Sequence, residues 1–192
     1  MSEICDLVAE YPTRPVFGCA LAHLYARLGQ LSEAQQALDD LARDGFATLP
    51  FDQEWLYGMS LLAETSALLD DTATASVLYA SLVPWAALNA AEHPEGFRGS
   101  AARYLGLLAT TTKRLENAEL HFEDAVAMNA NMGARPWLAH TQFDYARMLL
   151  ARDEPRDRAK AEELRDAALA TYRDLGMESY AADADRLMLA RQ

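Results

Sequence analysis

The sequence predicts an all-α fold built from successive pairs of helices. Leucine and alanine dominate, and no stretch shows the sustained polar–apolar alternation of a half-buried strand. Glycine and proline fall between the helical segments. Steps of three and four residues within 55–69 place five side chains on one helical face: Trp55, Met59, Leu62, Ser66 and Leu69.

The first half of the chain divides into a short opening helix and two helix pairs. Gly29 separates the two helices of the first pair, and Ser32 is the predicted N-cap of the second of them. The segment Asp70-Asp71-Thr72 opens the second helix of the next pair, and the Pro-Glu-Gly at 94–96 breaks the chain before the third pair.

The second half contains two further pairs and a closing helix. Gly133 and Gly176 are predicted helix stops, because glycine readily adopts the left-handed conformation that ends a helix. Pro136 and Pro155 suit the first turns of helices, where a missing N–H costs nothing.

Small residues recur among large apolar ones in these pairs. In residues 105–125, Gly106 and Ala118 are expected to face each other, with Phe122 filling the volume beside them. Two helix axes approach to about 8–10 Å only where the contacting side chains permit it. Gly106→Leu is therefore expected to overpack the contact, whereas Thr111→Leu is expected to be neutral.

The same frame of small and large residues recurs along the chain. Ala22 and Ala63 are 41 residues apart, and Ala63 and Gly106 are 43 apart. The matched groups are Leu21, Ala22, Tyr25, Ala34, Leu38 and Leu41; Leu62, Ala63, Ala75, Tyr79 and Leu82; Leu105, Gly106, Ala109, Ala118, Phe122 and Ala125; and Tyr145, Ala146, Ala161 and Ala168.

This pattern resembles the tetratricopeptide repeat, in which small residues mark the contact between two helices of a unit. The resemblance implies a right-handed α-solenoid in a single domain, with about four units at 13–46, 52–90, 97–132 and 134–175 and a capping helix at 177–190. The spacing is longer than the usual 34 residues. The first-helix aromatic position never holds tryptophan, and Arg165 occupies a large apolar position.

The long repeat, best matched over 99–176, also resembles the C-terminal helical repeats of large bacterial regulators. In those proteins a P-loop ATPase precedes the repeats, and a LuxR-type DNA-binding domain or a nucleotide-cyclase domain is attached. The resemblance implies a non-catalytic module for ligand sensing or protein interaction in transcriptional regulation or signal transduction. Residues 2–12 fit the second helix of a preceding unit, so the chain is either a fragment of a longer array or covered there by a partner or a second copy.

Composition narrows the expected partners. The net charge is −12, and residues 1–96 hold 3 basic against 14 acidic residues, so direct contact with nucleic acid is not expected. No apolar run is long enough to span a bilayer, and the two cysteines form no disulfide framework, so we expect a cytoplasmic protein without a membrane partner. Neither a P-loop nor a dinucleotide-binding glycine motif occurs, and no cofactor is expected.

The first helices of the pairs are expected to line a concave face that binds a peptide or protein, or other domains of the same regulator. Arg103 and Arg147 suit carboxylates, while Tyr57 and Phe143 suit apolar side chains. The predicted binding set is His23, Arg27, Tyr57, Glu64, Arg103, Leu107, His140, Phe143 and Arg147, and Cys19, Ser60 and Thr110 are expected to face the same groove.

Three alternatives stay open at this point. The chain could be a freestanding adaptor or dimerisation module. It could also be a small helical metalloenzyme, because His140 and Asp144 are four residues apart, although no third metal ligand is evident and a structural hydrogen bond is favoured. Acidic residues between 39 and 54 form either a solvated face or an attraction for a basic partner.

Overall fold

The computed structural model describes residues 2–92 and 96–189. Within these residues the chain forms ten α-helices, which confirms the predicted helical character. They are α1 Ser2–Glu10, α2 Val16–Arg27, α3 Leu31–Ala42, α4 Trp55–Leu69, α5 Thr72–Leu82, α6 Ala101–Thr111, α7 Leu115–Asn131, α8 Arg135–Arg152, α9 Asp157–Asp174 and α10 Glu178–Leu189. None of the described helices is both long enough and apolar enough to cross a membrane.

A short β-hairpin between α5 and α6 corrects the expectation of helices alone. A 3-10 turn at Val83–Trp85 leads into β1 Asn89–Glu92, which pairs antiparallel with β2 Gly96–Ser100. Strands of four and five residues are too short to show a clear alternating pattern. Gly99 brings β2 close to α8, since its φ is +75° and a Cβ there would lie 2.7 Å from Cβ of Trp137. Of the predicted break, positions 94 and 95 lie outside the described residues.

The helix termini follow the predicted signals in part. Asp71 caps α5, because its side chain accepts a hydrogen bond from the backbone N–H of Thr74 at 3.0 Å. Gly133 and Gly176 lie just beyond the ends of α7 and α9 with φ near +65°, as predicted.

Two terminus predictions are wrong. Helix α3 begins at Leu31, so Ser32 lies inside its first turn and Gln30 occupies the N-cap position. Pro136 is in the first turn of α8 as expected, but Pro155 lies in the turn before α9, because Asp157 is the first helical residue there. The Asp157 carboxylate accepts from the backbone N–H of Glu154 and from Arg152, which stabilises that turn.

The principal packing follows chain order. Each even-numbered helix packs on the odd-numbered helix that follows it, as in α2–α3, α4–α5, α6–α7 and α8–α9. Helices α2, α4 and α6 also pack on one another in sequence, and α10 packs on α9. One large apolar cluster extends from Cys19 in α2 to Ala161 in α9, and a smaller one joins α8, α9 and α10.

The alanines of the repeated frame are inaccessible to solvent. Ala22, Ala63, Ala118, Ala146 and Ala161 are among those with no exposed surface. Gly106 was expected to face Ala118, but the three atoms nearest to a Cβ at Gly106 all belong to the ring of Phe122, with Cε1 at 2.7 Å. These small side chains therefore occupy the positions at which neighbouring helices approach most closely.

Candidate functional site

A cavity of about 250 Å³ lies between the even-numbered helices. Side chains of α2, α4, α6, α8 and α10 line it, together with Asp70 and Lys113 from the turns that end α4 and α6. The cavity therefore brings together side chains from distant parts of the chain, from Arg27 in α2 to Asp183 in α10. The cavity has charged groups on one part of its wall and apolar groups on another.

Seven of the nine residues of the predicted binding set line this cavity, namely Arg27, Glu64, Arg103, Leu107, His140, Phe143 and Arg147. Thr110 lines it as well. The other two residues of the set lie beside it: Nε2 of His23 is 3.3 Å from Oε2 of Glu64, and the ring of Tyr57 lies 5.8 Å from the guanidinium carbon of Arg98.

Two residues expected to face the groove do not line the cavity. Cys19 is fully buried in the main apolar cluster, where burial raises the pKa of its thiol to about 12 and keeps it protonated. Ser60 is also buried, and its hydroxyl accepts a hydrogen bond from Nε of Arg98 at 2.9 Å. Cys19 lies against Gly58 of α4 and Ser60 against Arg98 of the hairpin, so neither side chain is part of the cavity wall.

A buried ion-pair network forms the polar wall of the cavity. Nε and Nη2 of Arg103 lie 2.9 and 2.7 Å from Oδ2 of Asp144, and Nη2 also lies 3.2 Å from Oε1 of Glu64. Arg103 is only 3% exposed, so these interactions are shielded from solvent. The carboxylates raise the pKa of Arg103 well above its ordinary value despite its burial, and the guanidinium stays charged.

Glu64 is the centre of this network. Arg98, Arg103 and His23 all contact its carboxylate. Burial alone would raise the pKa of Glu64, but Arg103, His23 and Arg98 together hold it well below its ordinary value. The carboxylate is therefore ionised, and removal of its partners would leave a buried negative charge.

Arg98 is a residue that sequence reasoning missed. It lies on β2, and the hairpin has no clear signal in the sequence. The hydroxyl of Tyr104 donates to the backbone carbonyl of Arg98 at 2.6 Å, and this contact fixes the strand against α6. The hairpin thus delivers a cation to the network between α4 and α6.

His140 and Asp144 have separate partners. Nδ1 of His140 lies 2.9 Å from the hydroxyl of Tyr172, and Asp144 is bound by Arg103. Burial, followed by the charge of Arg103, lowers the pKa of His140 to about 3, so the ring is neutral at physiological pH. Across the described residues, no group of three or more His, Cys, Asp or Glu side chains is arranged to hold a metal ion.

The two ends of the helical row meet at the cavity. The guanidinium carbon of Arg27 in α2 lies 5.0 Å from the ring centre of Tyr180 in α10, which is a cation–π contact. Tyr180 also stacks edge-on against His140, with ring centres 4.6 Å apart. Sequence reasoning did not assign Tyr180 to the site, because no local pattern shows that the last helix reaches the first pair.

The acidic residues between 39 and 54 are mostly tied to neighbours. Asp40 forms an ion pair with Arg43, and Asp39 accepts from the side chain of Gln35. Glu54 forms an ion pair with Arg14. The first two contacts are local and the third joins residues 40 positions apart, and none of these residues lines the cavity.

The cavity can bind an ionic group and an apolar group at once. Arg103 and Asp144 of its ionic wall are buried, which strengthens electrostatic contacts there, and its apolar wall includes Leu107, Phe143 and Met148. Comparisons with family profiles, with curated proteins and with solved structures find no match for this chain.

Proposed function

We propose that this chain is a non-catalytic binding module whose ligand occupies the cavity between the even-numbered helices. The observation that carries the proposal is the convergence of all five even-numbered helices on one partly charged space. A ligand bound there contacts every helix pair at once. Binding would therefore be coupled to the relative positions of the pairs, as a sensing module requires.

We further propose that the helix pairs form a tetratricopeptide-like solenoid with the even-numbered helices on its inner face. The pairs α2–α3, α4–α5, α6–α7 and α8–α9 fall within the segments 13–46, 52–90, 97–132 and 134–175. Their contacts run mainly between neighbours along the chain, as in a stacked array. Burial of the repeated alanines supports the same arrangement.

The setting that we propose is a cytoplasmic bacterial regulator, in which occupancy of the cavity is passed to a peptide, a protein partner or other domains of the same chain. The resemblance of residues 99–176 to regulator repeats supports this setting. A freestanding adaptor or dimerisation module is the alternative. Ile4, Leu7 and Val8 of α1 are only partly covered, and such a surface could meet a partner or a second copy.

A cavity-filling variant tests the binding function. Ala151 lines the cavity but is exposed, so Ala151→Trp should fill the space without disrupting the core. Ala170→Trp, at an exposed position of α9, is the matched control. Saturation-transfer NMR with a library of organic acids, amines, neutral compounds and short peptides would measure binding by the three proteins.

We expect wild type and Ala170→Trp to bind the same compounds and Ala151→Trp to lose them. The proposal fails if wild type binds nothing in the library, or if Ala151→Trp retains all binding.

A further inference from the structure

We infer that the ligand of this cavity is a small organic acid, with one carboxylate and a compact apolar body. The inference rests on the proposed binding function and specifies its ligand. The observations that carry it are a buried guanidinium group with an unpaired donor, a rim on which basic side chains outnumber acidic ones, and an apolar wall.

The size and closure of the cavity favour a small molecule over an extended peptide. Its volume of about 250 Å³ lies just below the range for drug-sized ligands, which is about 300–1,000 Å³, so only a small ligand fits. An extended peptide advances about 3.3 Å per residue and needs an open channel. Here Arg27 and Tyr180 meet across the cavity, so α2 and α10 close the space on that side.

The charge at the rim favours an anion. Arg27, Lys113 and Arg147 line the cavity and are all exposed. Neither Arg27 nor Lys113 forms an ion pair with any residue that the structure describes, and Nη1 of Arg147 lies 4.0 Å from Asp144, at the limit of an ion pair. Asp70 and Asp183 are the opposing acids at this rim, and Asp183 is already paired with Arg186. The lining as a whole is balanced, with four basic and four acidic side chains, and the excess of one positive charge lies at the rim, where Arg27, Lys113 and Arg147 meet Asp70 and Asp183.

Arg103 supplies a donor without an acceptor. Its Nε and Nη2 atoms are bound by Asp144 and Glu64, whereas Nη1 is hidden from solvent and has no hydrogen-bond partner among the described residues. A buried donor left unpaired is unfavourable. Arg103 and Arg147 both contact the Asp144 carboxylate, so two guanidinium groups lie at this part of the lining, and the exposed one, Arg147, is directly accessible to a ligand carboxylate.

The remaining wall accounts for the apolar body. Leu107 and Phe143 lie on neighbouring helices, and Met148 and Ala151 continue the surface toward the end of α8. A purely ionic ligand such as inorganic phosphate would leave this surface uncovered. An acid with a short alkyl or aromatic body uses both walls.

Matched acids and amides test the inference. The probes are hexanoate, octanoate and phenylacetate, their uncharged amides, inorganic phosphate, and a tripeptide with a free C-terminal carboxylate on phenylalanine. Isothermal titration at fixed low salt would measure affinity for wild type, Ala151→Trp and Arg147→Gln. Arg158→Gln, an exposed arginine of α9, is the control for charge alone.

We expect at least one acid to bind at least tenfold more tightly than its amide and than phosphate. Arg147→Gln should weaken that acid at least threefold, Arg158→Gln should not change it, and Ala151→Trp should abolish binding. The inference is overturned if no acid binds, if the amides bind as well as the acids, or if the tripeptide or phosphate binds more tightly. If an amide or the tripeptide binds and Ala151→Trp abolishes that binding, the proposed function stands and only the ligand class is wrong. If an acid binds equally well to Ala151→Trp, the proposed function itself is refuted.

Discussion

Replacement of Gly106 by alanine tests the close packing of α6 against α7. A Cβ added at this position would lie 2.7, 2.8 and 2.9 Å from three atoms of the Phe122 ring. That ring cannot easily move, because it is fully buried and stacked on Tyr145 with ring centres 5.5 Å apart. One added methyl group therefore forces the two helices or the stacked rings to shift.

Gly18 is the matched control, since it is also a helical glycine in an even-numbered helix. A Cβ there would lie 3.6 Å from Cδ2 of Leu41, which is ordinary van der Waals contact. Alanine is favoured over glycine in a helix by about 1 kcal/mol, and this gain is common to both substitutions, although smaller in the first turn where Gly18 lies. Overpacking costs about 1–3 kcal/mol at Gly106 alone.

We expect Gly18→Ala to stabilise the protein slightly and Gly106→Ala to be less stable than Gly18→Ala by about 1–3 kcal/mol. At about 2–4 °C per kcal/mol for a chain of this length, the Tm difference is about 2–12 °C. Urea and thermal unfolding followed by circular dichroism would measure it. Phe122→Leu in the Gly106→Ala background should cost less than Phe122→Leu alone, because it relieves the contact.

Equal stability changes at Gly106 and Gly18 would refute the packing argument. Thr111→Leu, the neutral control expected from sequence, is unsuitable because Thr111 is only 5% exposed and its hydroxyl donates to the carbonyl of Leu107 at 3.1 Å.

Three further predictions concern capping, pH dependence and the buried network. Asp71→Ala should lower the free energy of unfolding by about 1 kcal/mol through loss of the α5 cap, whereas Ser32→Ala should change it by less than about 0.5 kcal/mol. Urea unfolding measures both values, and a larger loss for Ser32→Ala than for Asp71→Ala would contradict the cap assignment. A hydrogen bond from Arg152 lowers the pKa of Glu119 from 4.5 to about 2, so the contribution of this carboxylate to stability is present above pH 4.5 and lost as the pH falls toward 2. The stability of Glu119→Gln should therefore fall less steeply with pH in that window. A pH profile identical to that of wild type would contradict the ion pair between Glu119 and Arg152. Arg103→Met should destabilise the protein by about 3–5 kcal/mol, because Asp144 loses its close partner and Glu64 keeps only Arg98 and His23. A loss below about 1 kcal/mol, as for a surface pair, would contradict the network.

Local sequence patterns predicted the helices better than they predicted the hairpin and one of the helix caps. Helical periodicity and glycine stops act over one or two turns, so α4, Gly133 and Gly176 were predictable from local patterns. The hairpin was not predictable, because its strands are short and the need for a glycine at position 99 comes from its close approach to Trp137 of a distant helix. Ser32 was misassigned because a capping residue type identifies a cap only when the helix begins directly after it.

The same contrast holds for the candidate site. The frame of small residues predicted which helix faces share a surface, and Arg103, Leu107 and Phe143 indeed line one cavity. It did not predict that Arg98 reaches Glu64 from the hairpin, or that Tyr180 meets Arg27. Those contacts join residues 34 and 153 positions apart, and no local periodicity encodes them.

Amino-acid order alone was sufficient for the helical character, several helix ends and the burial of the recurring small residues, because each depends on neighbours within a few turns or on a spacing that repeats. The closure of the cavity, the buried network and the unpaired Arg103 donor arise only once all helix pairs are packed. These features depend on the burial of polar groups and on the distances between residues that are remote in the chain, and both are defined only in the folded protein.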